Sequence, residues 1–251
     1  MDDLSAHSSF GQGVRIRPKS PRLLVEVQGS VALVTNAQSE LGRTFIEGLI
    51  EGGAAKIYAI ANRPAAMMDP RVHPLRLNMA SPADVARAVA SCPDINLLVV
   101  HQAVRRSVFG LARRELESTV YNVMRLAQAF APSLSRNGGG GLVNVLPSYA
   151  RADKGAGMRG TAFGAAAVAV TEALRMELRA QGTAVLGVHP GDLDIAGAVD
   201  GRKTPSRAAR RLVGIALEGI RSGQHQVFAD STLEDTGVFT QHGSLAAAGV
   251  W

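Results

Sequence analysis

The sequence predicts an α/β fold, a single domain built on a doubly wound parallel sheet. Two observations carry this. Short continuous apolar runs alternate along the chain with amphipathic stretches of helical period, the pattern of strands covered on both faces and joined by crossover helices. The chain of 251 residues, 46% hydrophobic and 19% charged, is also long enough to bury a core on each side of such a sheet.

The elements follow in order. Residues 1–28 are mixed in polarity and carry Ser8, Ser9, Gly11, Gly13, Pro18 and Pro21 without sustained periodicity, so they read as an N-terminal arm. The domain then spans 29–235. Its first apolar run, 31–35, is a strand, and Ser39 caps the helix predicted over 41–51, with Glu40 favoured in the first turn by the helix dipole. Strands are predicted over 56–61, 75–77 and 97–100, with a helix over 82–90 between the last two. A long helix over 115–134 leads to the glycine run Gly138 to Gly141 and a strand over 142–146. The helix predicted over 161–180 is rich in alanine and ends at Gln181-Gly182, where Gly182 takes a left-handed cap. A strand over 184–188, closed by His189-Pro190-Gly191, a helix over 205–221 and a short strand over 226–228 complete the domain, and 236–251 reads as a C-terminal tail.

Composition narrows the function classes. Cys92 has neither a second cysteine nor a histidine at metal-ligand spacing, so no disulfide framework or metal site is expected. No apolar run has signal or membrane-spanning length, and a reduced, cytoplasmic protein is the expectation. The net charge of +6 and pI near 10.1, with Arg15, Arg17, Lys19 and Arg22 in the arm, raise the question of nucleic acid. No helix-turn-helix, zinc finger or aromatic-interleaved basic strip accompanies them. Arg207, Arg210 and Arg211 instead fit the solvated face of a helix whose other face is Ala208, Leu212, Ile215 and Ala216. Neither nucleic acid nor membrane is an expected partner.

Four segments carry a more specific signal. They are Val34-Thr35-Asn36-Ala37-Gln38-Ser39-Glu40-Leu41-Gly42, Tyr121-Asn122-Val123, Thr171-Glu172-Ala173-Leu174-Arg175-Met176-Glu177-Leu178, and Val188-His189-Pro190-Gly191. In this order and at these separations, from Gly29 to about Asp230, the chain resembles the short-chain dehydrogenase/reductase family. The resemblance implies a Rossmann-type fold. It also implies site residues, many of which differ here. The first segment falls on the family's TGxxxGxG turn, whose glycines let a dinucleotide's pyrophosphate approach the start of a helix. Thr35 and Gly42 remain, whereas Asn36 and Glu40 replace the first two glycines. Glu40 puts a carboxylate where the phosphates would lie. Two like charges about 4 Å apart at an effective dielectric of about 20 cost roughly 4 kcal/mol, on the order of a thousandfold in affinity. The family's adenine-contacting aspartate corresponds to Asn78, its Asn-Asn-Ala-Gly stretch to Val100-His101-Gln102-Ala103, and its carboxamide-contacting threonine to Ile195. Arg63, near the end of the second strand, is placed to face a 2′-phosphate and reads equally as an exposed loop residue.

The catalytic positions depart further. The family's tyrosine and lysine fall on Gly160 and Gly164 and its serine on Pro147, leaving Asn122 of the tetrad. Neither glycine nor proline can supply a proton, lower a phenol's pKa or fix a substrate oxygen. The remaining candidates for chemistry are Asn122, Ser148 (one residue from the serine position), Tyr149 in the following loop, and His101. His101 stands at a strand's carboxyl end, where doubly wound folds place their ligands, and is expected to be a satisfied histidine lining the cleft.

The helices over 115–134 and 161–180 resemble the family's dimer-forming pair. Ala162, Gly164, Ala165, Ala166, Ala167 and Ala169 would permit close helix approach. The expected function is a non-catalytic subunit that assembles with an active short-chain dehydrogenase or with itself, binding no cofactor of its own while any NAD(P) belongs to the partner. Two alternatives stay open: a cleft repurposed for cofactor-independent cyclisation, dehydration or isomerisation through His101, Asn122, Ser148 and Tyr149, and a reductase that holds nucleotide in an unusual pose.

Overall fold

The computed structural model describes residues 23–61, 69–102, 116–147, 157–191 and 205–229. The strands are β1 (Val31–Val34), β2 (Lys56–Ile60), β3 (Val72–Leu75), β4 (Leu97–His101), β5 (Gly141–Val145), β6 (Ala184–His189) and β7 (Gln226–Phe228). They form one parallel sheet in the order β3-β2-β1-β4-β5-β6-β7. The order reverses between β1 and β4, which opens a crevice above the carboxyl ends of those two strands. Described helices are α1 (Glu40–Glu51), α2 (Pro82–Ser91), α3 (Asn122–Arg136), α4 (Gly157–Leu178) and α5 (Arg207–Arg221).

Every residue of β4, β5 and β6 is buried, which is why these strands read as unbroken apolar runs. One core packs α1 and α5 on the first face through Phe45, Leu49, Leu212 and Ile220; the other packs α2, α3 and α4 on the second through Val85, Leu126, Phe130 and Leu174. Val25 and Val27 are buried in the first core, upstream of the domain start drawn at Gly29. Cys92 follows α2 in the second core, where burial, aided by Asp94, pushes its thiol up to about 12.

Four elements differ from expectation, among them the helix predicted over 161–180, which runs Gly157–Leu178 and closes in a 3-10 turn over Arg179–Gln181. The strand predicted over 75–77 lies at Val72–Leu75, with Leu77 buried just beyond it. As an edge strand it exposes His73 and Pro74 and so lacks a continuous apolar run, and an edge is where proline is tolerated in a sheet. The helix predicted over 115–134 is not uniform, because residues Glu117–Tyr121 form a π-helical turn before α3. The last helix starts at Arg207 rather than 205. Ser206 is its cap, accepting from the Ala209 N–H at 3.2 Å. Elsewhere Ser39 caps α1 and Gly182 takes the left-handed conformation after α4, both as expected. Arg207, Arg210 and Arg211 face solvent opposite the buried Leu212 and Ala216.

The glycine run before β5 is an interlock rather than a linker. Gly139 and Gly140 have φ of +92° and +61°. A Cβ at Gly140 would fall 1.9 Å from the Asn96 carbonyl oxygen, and one at Gly139 2.3 Å from that of Gly182. Among the described residues no helix is long and apolar enough to cross a membrane, and no cluster of histidine, cysteine and carboxylate side chains could hold a metal ion.

Candidate functional site

The turn between β1 and α1 sits at the crevice, and its retained residues have architectural duties. Thr35 is fully buried: its hydroxyl donates to the His101 carbonyl at 2.8 Å and accepts from the His101 N–H at 2.7 Å, joining the ends of β1 and β4. Gly42 lets α1 lie against the turn, since a Cβ there would meet the Asn36 carbonyl oxygen at 2.3 Å. Asn36 holds φ at +50°, the left-handed region that glycine enters freely and asparagine tolerates. The Ala37 N–H donates to the Ile60 carbonyl at 2.8 Å, and the Ser39 hydroxyl to that of Asn36 at 2.8 Å.

Glu40 makes a contact that no sequence signal announced. Its Oε1 accepts the backbone N–H of Ser206 at 2.6 Å, tying the first turn of α1 to the cap of α5 across 166 positions. No local pattern reports a pair so distant.

Beside the turn lies a cavity of about 150 Å³, walled by Ile60, Ala61, Leu77 and Met79 and rimmed by the amides of Asn36, Gln38 and Gln102. That is well below the roughly 300–1,000 Å³ of pockets that enclose drug-sized ligands. Asn78, the counterpart of the adenine-contacting aspartate, is exposed and organises its own turn, its Oδ1 accepting from the Ala80 N–H at 3.1 Å.

His101 ends β4 and is 1% exposed, with neither ring nitrogen partnered among the described residues. The expectation of a satisfied histidine is therefore corrected. Its backbone N–H and carbonyl are both taken by the Thr35 hydroxyl, and burial leaves the ring nitrogens without a described partner. Burial pushes its pKa down to about 4, which leaves it neutral at physiological pH. Strand alternation places it on the side of Val99 and of its register partner Val145, the face covered by α1 and α5.

Asn122 opens α3 directly after the π-helical turn and is 7% exposed. Its Oδ1 accepts from Arg125 at 3.0 Å, and Arg125 also donates to the Met79 carbonyl at 2.7 Å and pairs with Glu117 at 3.2 Å. The amide oxygen thus serves a brace between α3 and the cavity wall. Arg125 escaped the sequence reading because nothing local distinguishes it from a solvated helix cation. Pro147 is half-buried just past β5, and Gly160 and Gly164 lie one turn apart in α4, Gly164 buried. The structure therefore brings Thr35, Gly42 and His101 together, with Asn122 on the opposite face. Arg63, Ser148, Tyr149 and Ile195 lie outside the described residues.

No family profile matches the sequence, and no curated protein matches it. Solved structures do. A short-chain dehydrogenase from Burkholderia cenocepacia J2315 in complex with NADP is 30% identical, with a TM-score of 0.73 over 83% of this chain and 91% of that one. A gluconate 5-dehydrogenase from the same organism, in complex with NADP and tartrate, is 20% identical with a TM-score of 0.69 over 84% and 97%. The NADPH-bound carbonyl reductase from chicken fatty liver is 17% identical with a TM-score of 0.67 over 82% and 94%. The last two share the fold.

Proposed function

The chain belongs to the short-chain dehydrogenase/reductase family, and we propose that within it this protein is a non-catalytic subunit, assembling with an active family member or with itself. The outward face of α4 carries the reading. Ala162, Ala165, Ala169, Ala173 and Met176 recur at helical spacing and are exposed, while Gly164, Ala167, Val168, Leu174 and Leu178 are buried on the inner side. A helix that is apolar on both sides has a second surface to cover, and small side chains allow another helix to approach closely. The resemblance puts the family's serine, tyrosine and lysine at Pro147, Gly160 and Gly164, none of which transfers a proton. The Glu40 carboxylate and the 150 Å³ cavity fit a dinucleotide's phosphates and bulk poorly. On this reading NAD(P) is held by the partner subunit.

Native co-purification, with mass identification of whatever stays bound, tests the proposal. The expected result is an intact short-chain dehydrogenase or a second copy of this chain. Replacing Ala169 with phenylalanine should dissociate the assembly in sedimentation while circular dichroism stays unchanged, because overpacking a well-packed contact costs about 1–3 kcal/mol. A wild-type chain that sediments as a monomer at tens of micromolar, and captures no family member, removes the subunit reading.

His101 supports a second reading, a cleft repurposed for cofactor-independent cyclisation, dehydration or isomerisation with Asn122, Ser148 and Tyr149. Its two buried ring nitrogens, without a partner among the described residues, stand at the strand end where this architecture places ligands. A small organic molecule retained in native mass spectrometry, and lost on His101→Leu, would favour it.

A further inference from the structure

We propose that Glu40 alone closes the α1 turn to phosphate, serving as the chain's own anion where two helix N termini meet, and that Asn36 takes no part in the closure. The inference rests on the reading that this chain holds no dinucleotide and assigns that exclusion to one side chain.

Glu40 is the first residue of the 12-residue α1, where unpaired N–H groups and the helix dipole together favour negative charge. Its Oε1 also takes the Ser206 N–H at the cap of α5. The carboxylate therefore serves both helix starts. In this fold that location is where a nucleotide's phosphates settle, and a second anion would meet a fixed like charge.

Asn36 shows the opposite character. It already occupies the left-handed conformation at φ +50°, so the backbone path of a glycine turn is intact. The bonds from Ala37 to Ile60 and from Ser39 to Asn36 hold that path, and Gly42 preserves the close approach of α1. The Asn36 Nδ2 is buried without an acceptor among the described residues, as are both ring nitrogens of His101 on the α1 and α5 side of the same strand ends. Ligand oxygens would satisfy the Asn36 amide and the single N–H of the neutral imidazole. What the turn lacks for an anion is removal of a charge, not a change of backbone.

Calorimetric titration of the full chain with inorganic pyrophosphate, and separately with NADP⁺, tests this on wild type, Glu40→Gly, Glu40→Gln and Asn36→Gly. Wild type and Asn36→Gly should bind neither probe measurably. Glu40→Gly should gain about a hundredfold or more for pyrophosphate, since a like-charge penalty of this kind is on the order of a thousandfold before screening. Glu40→Gln keeps an acceptor for Ser206 but loses the charge, so it should gain an intermediate amount. Hydrogen exchange supplies an independent readout: the Ser206 amide should stay protected in wild type and Glu40→Gln and exchange faster in Glu40→Gly. If Glu40→Gly proves misfolded by circular dichroism, the Glu40→Gln affinity decides. A gain for pyrophosphate without one for NADP⁺ supports the closure and locates the remaining obstacle at the nucleoside. Low-micromolar binding of either probe by wild type overturns it, as does a gain in Asn36→Gly with none in either Glu40 variant. Failure of the subunit reading is a different result, because a monomeric wild type leaves these affinities untouched.

Discussion

At the amino ends of the strands polar groups satisfy one another, and at the carboxyl ends several do not. Lys56 and Tyr58 both reach Asp94, at 2.7 and 2.9 Å; the Asn96 side chain accepts the Val31 N–H; and Asn137 donates to two carbonyls at 2.9 Å. The Thr183 hydroxyl bonds Gly139 at 2.6 Å beside the glycine interlock. The Ser30 hydroxyl, buried without a partner among the described residues, is the exception at that end. At the other end Asn36 Nδ2 and both nitrogens of His101 are buried and bonded to no described residue. Each such group costs about 1–3 kcal/mol. The difference separates the end of the fold that holds the sheet together from the end where this architecture places its ligands.

The sharpest way to break this comparison is to attack the amino end. Gly140→Val combines a positive φ with a Cβ built 1.9 Å from a carbonyl oxygen, so stability should fall by about 4 kcal/mol or more in urea unfolding. A loss under about 1 kcal/mol would show that the interlock yields. At the carboxyl end His101 predicts a pH dependence. Its pKa drops from about 6.5 in the unfolded chain to about 4 when folded, so the unfolded state binds more protons across that window. Stability is fully present above about pH 6.5 and is lost as pH falls towards 4. Between pH 7.5 and pH 5 the wild type should lose about 2 kcal/mol more than His101→Leu. Equal losses would mean that the ring finds a partner in solution. The smallest effect belongs to Asp94→Ala. Its pair with Lys56 is partly exposed, 40% and 34%, so the loss should be about 1 kcal/mol or less, and less again in high salt. A larger loss would mark the cluster as more than a surface brace.

Much of this architecture could be read without coordinates, for identifiable reasons. Buried strands such as Leu97–His101 announce themselves because both of their faces are covered. The caps at Ser39 and Gly182 are local chemistry. Legibility failed where the cause was not local. The edge strand at Val72–Leu75 has no apolar run to see, and the π-helical turn before Asn122 follows no residue pattern. In the site, the sequence marked which side chains to look at, but not what they touch. Glu40 was visible as a charge in the first turn of a helix, whereas its bond to Ser206 depends on two helix starts meeting on the same face of the sheet. His101 was visible at a strand end, whereas its lack of a partner among the described residues depends on how the ring is buried.

The placement of Cys92 gives the protein an internal clock. The thiol is fully buried in the core beneath α2 and held protonated by its surroundings, while labelling requires an exposed thiolate to attack the reagent. Because the chain carries one cysteine, each labelled molecule records a single opening of that core. The rate at fast labelling therefore measures how often the face formed by α2, α3 and α4 comes apart, and at slow labelling how large the open population is. If the exposed side of α4 is covered in the assembled protein, adding the partner should slow this clock without touching the residue that keeps it.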